Sequence, residues 1–336
     1  MGDRIEIYGI GNPLIDVLAH ASDSELEELN LNKGTMELID SERGNFILDR
    51  IKDREKKYSC GGSAPNTMIT LAALGVRTSL AGMVGNDELG DIYRKRLEQQ
   101  GVISDLSTCP GDTGSCIVLV TPDYERTMST RLGVCQNFSP EHLNHEKIAE
   151  ADYLYFTGYM WDTEPQKAAL TEAVKTARKA GTKVVFDVAD PFAVERHRDD
   201  FMDLICNSVD FVLANREESH ILLGYDDPEK ASKELAAKCG VAAVKNSAQG
   251  SCISSNDGGC SPLGSYSVDA VDSTGAGDNY AAGFLYALKK GYSLADAGRI
   301  ASYIAAQIVR QTGAQFDEES AQKLRRAIDE GYWHSI

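Results

Sequence analysis

Three places in the chain combine residue types that could do chemistry. In Val271-Asp272-Ser273-Thr274-Gly275-Ala276-Gly277-Asp278 a carboxylate ends a turn of small residues. Upstream, Ser265-Tyr266-Ser267-Val268 alternates in a way that predicts a strand, and downstream Asn279 to Lys290, rich in Ala, Leu and Tyr, predicts a helix. Such a turn leaves backbone N–H groups uncovered at the positive end of a helix, where an anion can sit. A carboxylate beside bound phosphate is electrostatically out of place unless it serves as a general base for a hydroxyl attacking phosphorus. An ordinary helix start, with Asp capping and Gly turning the chain, would use the same residues. The second place is the glycine-rich turn Cys60-Gly61-Gly62-Ser63-Ala64-Pro65-Asn66, followed by an apolar helix from Met68 to Leu74 that Gly75 stops. The third is Asp16, expected just past the end of a first strand, Ile5 to Gly11, where doubly wound sheets bind ligands.

The elements that must position these residues alternate. From 152 onward, strands at 153–156, 184–188, 211–213 and 241–244 are interleaved with helices, and further helices are expected at 276–290, 294–312 and 318–330. That pattern predicts a mostly parallel sheet covered on both faces, an α/β class. Between 102 and 131 the character changes: Ser115 to Thr121 and Arg126 to Thr130 predict strands joined by a Pro122-Asp123-Tyr124 turn. Together with 34–40 and 103–107 they predict a small β lid, formed by segments near 14–40 and 103–131 and inserted into one domain spanning 1–336.

Composition narrows the function. The 336 residues are 42% hydrophobic and 25% charged, an ordinary globular balance, and the net charge of −17 excludes nucleic acid and an anionic membrane surface as partners. Any phosphate must then be held by local N–H groups, a few cations or a metal. The N-terminus has no apolar signal core, and no apolar run approaches the ~20 residues of a membrane span. The eight cysteines form no C-x-x-C pair and read as reduced thiols of a cytoplasmic protein. Gly9-Ile10-Gly11-Asn12-Pro13-Leu14 fails as a dinucleotide fingerprint, because Leu14 stands at the third glycine position and Pro13 interrupts the helix start. This weakens a dehydrogenase reading, and no Walker-type phosphate loop is present either.

The two glycine-rich turns in this order, with Asp16 after the first strand and a lid between, resemble the ribokinase-like (PfkB) carbohydrate and nucleoside kinases over roughly the whole chain. Gly61-Gly62-Ser63-Ala64-Pro65-Asn66 resembles the first family signature, and Asp272 to Asp278, continued by Ala282-Gly283-Phe284-Leu285, the second. The resemblance implies a three-layer αβα sandwich with a small β-sheet lid and an ATP-dependent kinase. It implies Asp278 as catalytic base, Gly275, Ala276 and Gly277 as anion hole, and Asp16, Gly62, Ser63 and Asn66 around the hydroxyls of the acceptor. Asn215-Arg216-Glu217-Glu218 is similar to the family's N-x-x-E motif, tied indirectly to Mg²⁺ through Glu218; a helix N-cap with its capping glutamate is the alternative. Asp272 either supports the anion-hole loop or faces a monovalent cation such as K⁺. ATP would lie over the C-terminal strands, near Asn215, Lys245, Gly250, Thr274 and the helix around Ala305.

Gly9 to Asp16 and Ser63 to Thr67 are more similar to adenosine kinases than to ribokinases or fructokinases. The runs 157–162 and 190–198 resemble a bacterial adenosine kinase-like branch. The expected acceptor is the 5′-hydroxyl of a nucleoside, adenosine first. A free sugar of ribose or fructose type is the alternative, and an inactive ligand-binding protein the second alternative. Met36, Cys116, Met128, Leu132, Tyr159 and Trp161 stand where they would line a base pocket or pack the lid on the sheet. The chain is expected as a monomer or as a homodimer joined through its lids.

Overall fold

The computed structural model describes residues 4–123 and 125–334, apart from the side chain of Met36. Met1 to Asp3 and Tyr124 of the expected turn lie outside the described residues. The strands are β1 (Ile7–Ile10), β2 (Leu14–His20), β3 (Met36–Leu38), β4 (Lys57–Gly61), β5 (Thr78–Gly85), β6 (Ile103–Cys109) and β7 (Ser115–Val120). They continue as β8 (Arg126–Arg131), β9 (Tyr153–Thr157), β10 (Lys183–Asp187), β11 (Phe211–Asn215), β12 (Val241–Lys245), β13 (Ser251–Ser255) and β14 (Cys260–Leu263). A nine-stranded sheet has the order β14-β13-β12-β11-β10-β9-β1-β5-β6, parallel from β12 to β6, with β13 and β14 antiparallel at one end. A five-stranded sheet, β3-β8-β7-β2-β4, stands beside it.

Successive residues of a strand face opposite sides, and the central strands are apolar on both. Tyr8, Phe156, Phe186, Val212 and Val244 enter one core with the helices Glu164–Ala180, Pro191–Asn207 and Pro228–Cys239. Ile7, Tyr155, Val185, Leu213 and Ala243 enter the other, with Ser63–Ala73, Glu88–Gln99, Ala276–Lys290, Leu294–Ile308 and Glu318–Asp329. The result is a three-layer α/β sandwich with a lid. Phe186 meets Phe156 at 5.4 Å and Phe201 at 5.1 Å between ring centroids, which holds the carboxyl ends of β9 and β10 rigid below the site. No helix among the described residues is long and apolar enough to cross a membrane.

Three expectations are corrected. The segment 103–107 is part of β6 and belongs to the large sheet, paired in parallel with β5 from Ser79–Ile103 to Gly85–Cys109. The helix Glu88–Gln99 supplies the crossover that a parallel return needs. The lid gains β4 instead, antiparallel to β2. Asp16 does not follow β1 as a loop residue: it lies within β2, opposite Ser59 of β4 and Cys116 of β7. Ile15, Val17 and Ala19 of that strand are buried, so Asp16 lies on the opposite face of the lid sheet from these three. Ser265 to Val268 is no strand. β14 ends at Leu263 and the chain beyond it finds no ladder partner; Ser265 donates to the Ala248 carbonyl and Tyr266 to the Trp333 carbonyl.

Candidate active site

Two helices begin at the site, Ser63–Ala73 and Ala276–Lys290. Each has a glycine N-cap at positive φ, Gly62 at 100° and Gly275 at 75°, and no side-chain cap. A Cβ at Gly62 would come within 2.1 Å of the Asn12 carbonyl oxygen, and one at Gly275 within 2.5 Å of Ala314 Cβ, so both the backbone angle and the space require glycine. Without side-chain caps, the N–H groups of these first turns remain available to an anion, except that of Ala276, which donates to the Ser273 carbonyl at 3.1 Å. The fully buried Asn279 pins the second turn: its Nδ2 donates to the Gly275 and Ala314 carbonyls at 2.8 and 2.9 Å, and its Oδ1 accepts from Thr70 at 2.8 Å.

Asp278 sits in the first turn of the second helix and faces the start of the first. Ser63 Oγ donates to its Oδ1 at 2.6 Å and Asn66 Nδ2 to its Oδ2 at 2.9 Å. Burial pushes its carboxyl up to about 6, against these two donors and the Lys245 ammonium, which pull the other way. At neutral pH the group is therefore ionised yet basic enough to take a proton.

The charge opposite it comes from strand ends. Lys245 closes β12, and its Nζ lies 3.2 Å from Oδ1 of Asp187, which closes β10; both side chains are nearly buried, 14% and 3% exposed. A methyl group on Gly277 would stand 3.6 Å from the same Nζ, so the ammonium borders the anion turn. Burial works against the ammonium charge, but Asp187, Glu218 and Asp278 outweigh it and hold Lys245 protonated. Asn215 caps the helix Arg216–Leu223: its N–H and Nδ2 donate to the two Glu218 oxygens at 2.7 and 2.6 Å, while its Oδ1 accepts from the Glu218 N–H. Burial raises Glu218 to about 7, Lys245 opposing.

From the lid, Arg126 of β8 donates to Asp272 Oδ2 at 3.1 Å. The remaining Asp272 bonds come from the Thr274 N–H and hydroxyl at 2.9 and 2.6 Å and the Gly313 N–H at 2.8 Å. Burial pushes Asp272 up, yet these donors and Arg126 hold it below the usual carboxylate range. The same guanidinium offsets part of the burial that raises Asp16 to about 7, and among the described residues no hydrogen-bond donor reaches the Asp16 carboxylate. The lid thus presents an uncommitted carboxylate, and the start of the helix Ala276–Lys290 presents a second one, Asp278, beside an uncapped turn bordered by an ammonium. A hydroxyl compound on one side and a phosphate on the other would fill that arrangement.

The family model described as pfkB family carbohydrate kinase matches residues 35–321. The chain belongs to the pfkB family of carbohydrate kinases. It is a phosphotransferase with an alcohol group as acceptor, and kinases of this family use ATP, usually with Mg²⁺. Its fold is similar to that of the adenosine kinase of Sinorhizobium meliloti, at 34% identity and TM-score 0.84, over 97% of this chain and 100% of that one. It is equally similar to a probable sugar kinase of Rhizobium etli, at 32% identity and TM-score 0.84, over 98% and 99% of the two chains. In sequence it is 28% identical to the adenosine kinase of Dictyostelium discoideum over 93% of this chain and 96% of the relative.

Most of the residues expected at the site meet around the Gly275 turn. Ser63 and Asn66, expected at acceptor hydroxyls, each donate one hydrogen bond to Asp278, and the Asn66 NH₂ keeps a second hydrogen. Thr274 is exposed and donates to Asp272, whose bonds brace the turn. Tyr159 donates to Asp190 at 3.1 Å and lies within the field of Asp278 and Glu218. Gly250 turns β12 into β13 at φ 92°, where a Cβ would meet the Leu263 carbonyl at 2.0 Å. Ala305 is partly buried against the core behind the turn, on the helix Leu294–Ile308. Met36 is placed by its backbone on β3, opposite Met128, and its side chain lies outside the described residues. Sequence reasoning missed Asp187, Arg126, Asn279 and Gln315. A signal existed for Asp187: a carboxylate closing an apolar strand, at the edge where parallel sheets bind ligands.

Proposed function

We propose that this kinase transfers the terminal phosphoryl group of ATP to the 5′-hydroxyl of a nucleoside, with adenosine the favoured acceptor. The observation that carries the reading is Asp278 itself, an ionised carboxylate fixed by Ser63 and Asn66 in the first turn of an uncapped helix. As the acceptor oxygen bonds to phosphorus and the bond to ADP breaks, the hydroxyl proton passes to Asp278. The N–H groups of Gly275 and Gly277 and the Lys245 ammonium take the charge on the transferring group, joined by the Ala276 N–H when it leaves the Ser273 carbonyl to which it donates at 3.1 Å. When bound, Mg²⁺ would supply further neutralisation of the phosphate charge. Glu218, whose oxygens each accept one bond from Asn215 and keep a lone pair, suits an indirect contact with it through water. Asp16, without a donor of its own, suits two vicinal sugar hydroxyls.

Similarity to the adenosine kinases supports adenosine, and similarity to the probable sugar kinase supports a free sugar as the second reading. ADP release measured with adenosine, inosine, guanosine, ribose and fructose separates them. Adenosine should give the highest kcat/KM and AMP as product, whereas turnover confined to ribose or fructose would move the acceptor to the sugar class.

Three raised carboxyls predict a two-stage acid limb. With Asp16 and Glu218 near 7 and Asp278 near 6, each needed ionised, kcat/KM should fall just below pH 7 and more steeply below 6. In Asp16→Asn the upper stage should become shallower, Glu218 alone carrying it, while the lower remains. A pH–rate profile of both proteins checks this, and a flat profile down to pH 5 would contradict it.

A further inference from the structure

Asp278 is wired to the far side of the first helix through three amides. Asn66 Nδ2 donates to Asp278 Oδ2 at 2.9 Å, Gln315 Nε2 donates to Asn66 Oδ1 at 3.0 Å, and Gln100 Nε2 donates to Gln315 Oε1 at 2.7 Å. Gln315 Nε2 also donates to the backbone carbonyl of Cys60, on β4. The two ends of an amide are nearly the same size, so an Asn or Gln can present a donor or an acceptor to a neighbour unless something fixes it. Here a backbone carbonyl fixes it. The Cys60 oxygen can only accept, so the Gln315 NH₂ must face it. The same NH₂ then meets Asn66, which must answer with its oxygen, and the Asn66 NH₂ is turned onto the base. Asn66 is only 7% exposed, which leaves little room for water to replace either partner.

We propose that Gln315 is a positioning residue: through Asn66 it keeps a hydrogen-bond donor, rather than a carbonyl oxygen, against the carboxylate of Asp278. The proposal rests on Asp278 being the base only for its effect on rate; the effect on the carboxylate itself is independent. A donor to the ionised form lowers a carboxyl's pKa, and a carbonyl oxygen in its place raises it. The other groups facing Asp278 are Ser63 on the first helix, Asp187 and Lys245 on the sheet, and Tyr155 and Tyr159. None of them is removed when Gln315 is changed.

The test uses protein carrying ¹³C-carboxyl aspartate, with the Asp278 resonance identified by its absence from Asp278→Asn. In Gln315→Met its titration midpoint should rise by about one unit from the value near 6. In an Asn66→Ala background the same substitution should produce no further rise. If Gln315→Met does not fold, Gln315→Asn, one methylene shorter, carries the same expectation. An unchanged midpoint in the folded variant, or a full further rise when Asn66 is already gone, overturns the proposal. The lower stage of the kcat/KM profile should move with the midpoint. A midpoint that moves while that stage stays fixed upholds the positioning role and removes Asp278 as the base.

Discussion

Asp278→Asn is expected to lower kcat by at least about a hundredfold while leaving the fold intact. The variant keeps the size of the side chain and an oxygen for Ser63 or Asn66, and loses the only function that needs charge, acceptance of a proton. Its stability should move the other way. The folded carboxyl titrates near 6, above its ordinary value of 3.8, so it stabilises the fold when protonated and loses that contribution as pH rises through 6. The Asn protein lacks this loss. Its unfolding midpoint should equal or exceed that of the parent at pH 8, and the difference should shrink toward pH 4. An inactive protein that is also less stable at pH 8 would point to misfolding of the turn, and near-parental turnover would remove the catalytic role. A group that costs stability where it works is what a catalytic site produces when function outweighs packing.

What the sequence disclosed and what it withheld divide along chain distance. Gly62 and Gly275 were legible because a positive φ at a helix start is a local requirement that favours glycine, and the residues on either side name the chemistry; the Asn12 and Ala314 atoms that also exclude a Cβ lie far along the chain. The helix from 276 to 290 followed from its composition and ends where expected, at Lys290 before Gly291. Ser265 to Val268 failed because alternation reports which faces a strand would have, and says nothing about whether a partner strand is available. β2 was hidden by Pro13 and Gly11, which read as a loop; its partners β4 and β7 lie far along the chain. Asp187 and Lys245 are residues of two different strands that meet only because β11 separates them by one place in the sheet. No spacing rule within a single strand could pair them. Gln315 is farther still from Asn66, and its neighbours give no motif that points there.

The Asp187–Lys245 pair makes a second large effect, on both activity and stability. In Lys245→Met the transferring phosphoryl group loses the ammonium that borders the Gly277 turn, and kcat should fall by about a hundredfold, the scale seen when one preorganised charge-stabilising group is removed. The same change leaves Asp187 buried without its cation, which costs about 3 kcal/mol of stability at neutral pH. The two losses have different pH signatures. Burial already holds the Asp187 carboxyl above its ordinary range with Lys245 present, and removing the ammonium raises it further. A folded pKa above the unfolded one means that stability is kept while the group is protonated and lost as pH rises, so the deficit should be larger at pH 8 than at pH 5. Adding Asp187→Asn to Lys245→Met removes the stranded charge and should restore most of the stability, without restoring turnover. Thermal unfolding and ADP release on the two single variants and the double variant complete the cycle. Recovery of both quantities in the double variant would mean that Lys245 acts only by neutralising Asp187. Recovery of stability alone places its charge on the phosphoryl group.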